Sequence, residues 1–171
     1  MSLNFGPTIP KELIFEHIAE YLHLQNLKIS KQENTRPWGG FFVIEETEAE
    51  KFINLYFPQL TQAELNISGK LSPKILVVAP QKRLSWQYHH RRAEIWKIIG
   101  GTAGVVISDT DEEKETMLLN IGDIIQLKQG ERHRLVGLEN WGIVAEIWRH
   151  TDAENPSDEE DIVRLQDDFG R

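Results

Sequence analysis

From Lys74 onward the chain breaks into short apolar runs at 75–79, 95–99, 104–107, 116–119, 124–127 and 143–148. Gly, Asp and Lys clusters separate the runs, and Gly100-Gly101 and Asn120-Ile121-Gly122-Asp123 are strong turn signals. Runs this short suit strands, and many short strands joined by turns close into a sandwich or a barrel. The N-terminal part reads differently. Residues 10–28 carry Leu13, Ile14, Ile18, Tyr21 and Leu22 at helical spacing behind Pro10, which predicts a helix packed on the outside of a sheet. Asn34-Thr-Arg-Pro-Trp-Gly-Gly40 is a turn, 41–46 a short strand, 48–57 a helix ended by Pro58, and 60–69 a loop or a second short helix. The expectation is a mainly β chain: an N-terminal helical extension over 1–33 and a β-barrel domain over 34–171, one structural domain overall.

Composition narrows the function. A chain of 171 residues holds one well-cored domain, and 40% hydrophobic with 27% charged residues describes an ordinary globule. The net charge of -8 lacks the basic footprint of a nucleic-acid binder, yet local arginines can still hold a small anion. There is no cysteine, so disulfides and thiolate metal sites are excluded. Residues 1–10 have neither a basic start nor an apolar core, and no stretch approaches the ~20 apolar residues of a membrane span. A cytoplasmic protein with no membrane partner is expected.

The chemistry concentrates in Ser85-Trp-Gln-Tyr-His-His-Arg-Arg-Ala-Glu-Ile-Trp96 and Gly130-Glu-Arg-His-Arg-Leu135. Gln87, His89, Glu94 and His133 form a candidate metal set, since two imidazoles with amide and carboxylate oxygens suit a divalent first-row ion. Gln87 and His89 are two apart and so share one face of a strand; Trp86 and Tyr88 take the other, which favours packing between sheets. His89 and His90 cannot both face one pocket. The five tryptophans read as core, His17, His23 and His150 as packed or solvated, and the acidic 152–161 stretch as a solvated loop.

These residues resemble the cupin superfamily. Gln87-x-His89, four residues, Glu94, then Gly100 and Gly101 follow its first motif with Gln for the first histidine. Gly122, Gly130 and His133 follow the second, with Lys128 where a proline is common. The match narrows to the type II phosphomannose isomerases, a C-terminal domain often fused to mannose-1-phosphate guanylyltransferase. Residues 84–96, Arg36-Pro-Trp-Gly39, Gly101-Thr-Ala103, His133-Arg-Leu135, Glu160-Asp-Ile-Val-Arg164 and Asp167-Asp-Phe-Gly-Arg171 resemble that family in order. Arg91 and Ile95 stand where it often has histidines, and 47–72 resembles an insertion. No Gly-rich nucleotide loop precedes the barrel, so nucleotidyl transfer is not expected.

The resemblance implies a cupin jelly-roll barrel and a metal-dependent isomerase converting mannose 6-phosphate to fructose 6-phosphate through an enediolate. It implies one divalent ion, zinc by analogy, with manganese, iron, cobalt and nickel open. Arg171 is the candidate for a catalytic or phosphate role, with Arg83 and Arg92 as further phosphate contacts. The base stays open among a hydroxide on the metal, Lys97 and His90. A homodimer is expected, because sheet edges left bare are a liability. A noncatalytic sugar- or metal-binding cupin, or another small-molecule cupin enzyme, is the alternative. A basic clamp facing the metal set separates the readings.

Overall fold

The structure is a computed structural model that describes residues 1–60, 65 and 70–171. Two antiparallel sheets face each other. The six-stranded sheet runs β1 (Ile29–Glu33), β2 (Gly39–Ile44), β3 (Lys74–Val78), β10 (Gly142–His150), β5 (Arg92–Gly100), β8 (Ile124–Leu127). The five-stranded sheet runs β11 (Val163–Gln166), β4 (Trp86–Tyr88), β9 (Arg132–Gly137), β6 (Ala103–Ser108), β7 (Met117–Leu119). Helices α1 (Lys11–Leu24) and α2 (Ala49–Tyr56) complete the order, α2 entered through one 3₁₀ turn at Glu46–Glu48. This is the mainly β jelly roll with an N-terminal helix that the sequence called for.

Side-chain alternation explains why the large sheet reads as continuous apolar runs. On β10, Ile143, Ala145 and Ile147 join a core shared with α1 and α2 on the outer face, where Ile14, Phe15, Ile18 and Leu22 meet Phe42, Ile75 and Phe52. Val144 points the other way, into the core between the sheets, with Leu76, Trp96, Ile98, Leu127 and Leu135. A strand covered on both faces loses the polar half of its pattern. The inward face at one end of the barrel is polar instead, and there the site is built.

Three differences from the sequence reading have local causes. The first helix ends at Leu24 rather than near 28, because Asn26 turns into the left-handed region at φ 57. Residues 29–33, inside the stretch read as helical extension, form β1 and pair with β2. Their sequence, Ile-Ser-Lys-Gln-Glu, is an edge strand with little apolar pattern. β11 likewise has one half-buried valine and three exposed residues, so periodicity could not find it. The 60–69 stretch lies outside the described residues apart from Leu60 and Leu65.

The extension is bound to the barrel by more than apolar contact. Lys11 Nζ donates to the carbonyls of Asn34, Arg36 and Gly39 at 3.1, 2.8 and 3.0 Å, and so fixes the turn that carries Arg36 and Trp38. At Gly39 (φ 141) a Cβ would stand 1.9 Å from the Val77 carbonyl oxygen, which is why the turn demands glycine. Because Ile18 is fully buried against this core, Ile18→Val is expected to cost about 1 kcal/mol. Urea denaturation checks this; no loss would mean that α1 is docked loosely.

Candidate metal centre

Strand register brings distant residues to one point. Gln87 on β4 lies opposite His133 on β9 and Arg164 on β11. Glu94 lies on β5, opposite Trp148 of β10. His89 follows β4 in a bend. His89, Glu94 and His133 are all buried, and one ligand atom from each lies within 4.8 Å of the others. His89 Nε2 is 3.1 Å from Glu94 Oε1, and His133 Nε2 is 3.5 Å from Glu94 Oε2.

The hydrogen bonds suit a divalent ion. His89 Nδ1 donates to the Asp161 carbonyl at 2.6 Å, and His133 Nδ1 to the Glu131 carbonyl at 2.9 Å. Such bonds fix the tautomer and aim an unprotonated Nε2 inward, as metal-binding histidines require. Burial lowers the His89 pKa, favouring the neutral ring despite the pull of Glu94. His133 Nε2 is buried with no hydrogen-bond partner, a buried polar atom that a metal would satisfy. Burial alone would raise the Glu94 pKa, but His89, Arg92 and His133 together hold it well below the usual carboxylate range, so it is ionised. Gln87 Oε1 accepts from Ser85 Oγ at 2.5 Å, and its amide nitrogen is 3.4 Å from His89 Nε2. Turning that amide over would present oxygen to the ion. Gln87, His89, Glu94 and His133 are therefore brought together, as a donor set that fits one divalent ion.

Arg92 is the one cation among them. It is 5% exposed, its Nε donates to Glu94 Oε1 at 2.9 Å, and its guanidinium lies 3.6 Å from the Trp148 ring. Nη1 reaches Ser157 Oγ and the Asp158 carbonyl, each at 2.9 Å, and Nη2 is 3.3 Å from His89 Nε2. A metal would take the His89 lone pair that Nη2 now engages and leave Arg92 its bonds to Glu94, Ser157 and Asp158.

The acidic 152–161 stretch is not a solvated loop throughout. Ser157 and Asp161 are buried. The Asp161 carboxylate accepts from the His90 and Arg91 amides at 2.9 Å each and from Ser157 Oγ at 2.6 Å. Burial opposes its charge, yet these donors bring its pKa down to about 2. With its carbonyl on His89, this one residue sets the whole bend. His150 is fully buried and accepts the Ser157 amide at Nδ1 (2.9 Å), and burial lowers its pKa to about 4. It packs the base of the same loop.

Gln87 and Glu94 of the set open into a cleft of about 140 Å³. Gln87, Glu94, Trp96 and Trp148 line its depth, and Arg36, Arg164 and Arg171 line it with Lys74 and Glu159. Arg36 Nε is buried with no partner. Arg164 has its pKa lowered by burial first and then by the nearby charges of Arg171 and Arg36. Arg171 is forked onto Asp167 at 2.8 and 3.2 Å.

Other sequence candidates fall elsewhere. Lys97 sits on β5 between the inward-facing Trp96 and Ile98, on the face away from the cleft, and does not line it. His90 is exposed and packs its ring on Tyr88. Arg83 is paired with Asp168 at 2.7 and 2.9 Å, on the surface. Trp86 is buried, while Tyr88 lies 4.0 Å from the Arg132 guanidinium. Sequence reading missed Glu146 and took Trp96 and Trp148 as core only. The one signal was a lone glutamate inside the apolar run 143–148.

Against known proteins, residues 45–167 match the family model described as mannose-6-phosphate isomerase C-terminal. The alginate biosynthesis protein AlgA of Pseudomonas aeruginosa is 30% identical over 125 residues, 73% of this chain and 24% of its own length. Mannose-1-phosphate guanylyltransferase 2 of Escherichia coli O157:H7 is 29% identical over 154 residues, 89% of this chain and 26% of its own. The chain thus spans about a quarter of the curated relatives it matches. A solved recombinant oxalate oxidase in complex with glycolate shares the fold at TM-score 0.53 and 16% identity, over 81% of this chain and 61% of that one. With its family model matched over 45–167, this chain belongs to the mannose-6-phosphate isomerase C-terminal family.

Proposed function

We propose that this chain is a metal-dependent sugar-phosphate isomerase, interconverting mannose 6-phosphate and fructose 6-phosphate through an enediolate. The observation that carries the reading is the convergence of Arg36, Arg164 and Arg171 on the cleft whose depth holds Gln87 and Glu94. A binding cupin with no anionic substrate has no use for such crowded arginines. Three guanidinium groups at the rim of a carboxylate-floored site suit a ligand with a phosphate at one end and hydroxyls at the other.

Gln87, His89, Glu94 and His133 would hold the ion, with zinc the first choice. When bound it supplies Lewis-acid chemistry, stabilising charge on the sugar oxygens by several kcal/mol. The chain does the rest. The arginines hold the phosphate. Arg92 keeps Glu94 ionised and aligned, and Asp161 orients the His89 ring. Trp38, Trp96 and Trp148 wall the sugar from bulk water. We place the enzyme in the cytoplasm.

The test is Arg164→Ala and Arg36→Ala beside the parent in a coupled assay of fructose 6-phosphate formation with added zinc or manganese. Each is expected to raise KM for mannose 6-phosphate at least about tenfold, the loss of one charge-assisted contact of about 1.5–3 kcal/mol. A parent that binds metal yet converts no hexose phosphate would move the reading to a noncatalytic cupin.

A further inference from the structure

We propose that Glu146 is the acid–base residue that carries the proton between C2 and C1 of the sugar, an inference resting on the isomerase reading above. Glu146 lies in mid-strand on β10, 4% exposed, and lines the same cleft as Glu94 and Gln87. Register sets it opposite Trp96 of β5 on one side and Lys74 of β3 on the other, with Glu94 diagonally beside it on the inward face of β5. Two indoles hold it: Trp96 Nε1 donates to Oε2 at 2.7 Å and Trp148 Nε1 to Oε1 at 2.9 Å. A carboxylate has about four lone-pair positions. Two of Glu146's are committed to indoles, one on β5 and one two residues along its own strand, which aim the group without neutralising it.

Toward the barrel core this carboxyl is set beside the apolar cluster of Val144, Leu76 and Trp96, where burying an acid is costly. It also makes no salt bridge among the described residues: Lys74 instead pairs with Glu159 and lies 4.2 Å from the Trp148 ring, and Arg92 is committed to Glu94. The charged groups facing it are Glu94 and Arg92 from β5 and Lys74 from β3. Burial first, and then the charge of Glu94, raise its pKa to about 8 against the pull of Lys74 and Arg92. A carboxyl set in the cleft and aimed by two donors can accept a proton and return it without leaving its place.

The step balances without a further reactant. The Glu146 carboxylate takes the proton from C2 of the open-chain aldose phosphate. The C2–H electron pair becomes the C1=C2 bond, and the carbonyl pair moves onto O1. The carboxylic acid so formed returns the proton to C1, the C1=C2 pair becoming the new C1–H bond, while the O2 proton passes to O1 and its pair forms the C2=O2 carbonyl, giving the ketose phosphate.

Glu146→Gln tests this. Expected is a fall in kcat of about 10²–10⁴, with metal content and the calorimetric Kd for fructose 6-phosphate at parent values. A kcat within threefold of the parent overturns the proposal, and a parent with no turnover overturns the isomerase reading instead. Should the Gln variant fail to bind sugar phosphate, Trp148→Phe decides. It leaves the carboxyl in place and removes one donor that favours its ionised form. The acidic limb of kcat/KM is then expected to move to higher pH, and an unmoved limb overturns the proposal.

Discussion

Arg92→Ala is expected to destabilise the metal-free protein by about 3–5 kcal/mol, the cost of removing one partner of a buried ion pair. For a chain of this size that lowers the melting temperature by about 6–20 °C. Glu94 is 3% exposed and keeps its charge through Arg92, His89 and His133. Without the guanidinium, burial dominates and the carboxyl must take a proton or stay ionised at a large cost. Ser157 Oγ and the Asp158 carbonyl lose a donor in the same step, so the loop that aims His89 loosens as well. The Glu94 contribution has a pH sign. Its folded pKa is lowered, so the stability it adds is present above the ordinary carboxylate pKa and is lost as pH falls through the folded value. The cost of Arg92→Ala therefore shrinks in acid. Arg92→Lys keeps a charge but not the fork, and should fall between. Thermal melts at neutral and acid pH check all three points; a loss under about 1 kcal/mol would mean that Glu94 is satisfied without Arg92.

The second large effect is on chemistry. His133→Ala is expected to abolish stoichiometric metal binding and to lower turnover by about 10³ or more, because several kcal/mol of charge stabilisation goes with the ion. His133 Nε2 has no hydrogen-bond partner, while Nδ1 is bound to the Glu131 carbonyl. Its ring is buried against Trp96 and His89 and lies beside Glu94, so the apo variant should also melt below the parent. Elemental analysis after dialysis against zinc, with the coupled assay, checks both. A His133→Ala protein that still holds one metal per chain would remove His133 from the ligand set.

Much of this was legible in the sequence because the relevant signals are local. Turn glycines and short apolar runs gave the barrel, and the Gln87-x-His89 and Glu94 spacing placed three donors across the bend between β4 and β5. What stayed hidden depends on register and long-range contact. Asp161 is distant in sequence from His89, and nothing in an acidic stretch shows that its carboxylate will cap two amides of the bend. Glu146 looks like an error in an apolar run until β10 is laid beside β5, where Trp96 meets it from across and Trp148 from its own strand. Lys97 and His90 were attractive only because they neighbour ligands in sequence. One residue along a strand reverses the face, and that alone turns Lys97 away. Arg36 and Arg164 were visible only as parts of family-like motifs; Arg164 is brought in by the pairing of β11 with β4 and Arg36 by the turn that Lys11 holds.

The most direct measurement is proton NMR of mannose 6-phosphate in deuterated water with the zinc-loaded protein, before and after a chelator. The expected result is fructose 6-phosphate, formed only while the metal is present, with deuterium at C1 to the extent that the proton held on the carboxyl exchanges with solvent. Unchanged mannose 6-phosphate with a protein shown to hold its metal, or conversion indifferent to the chelator, would contradict the account.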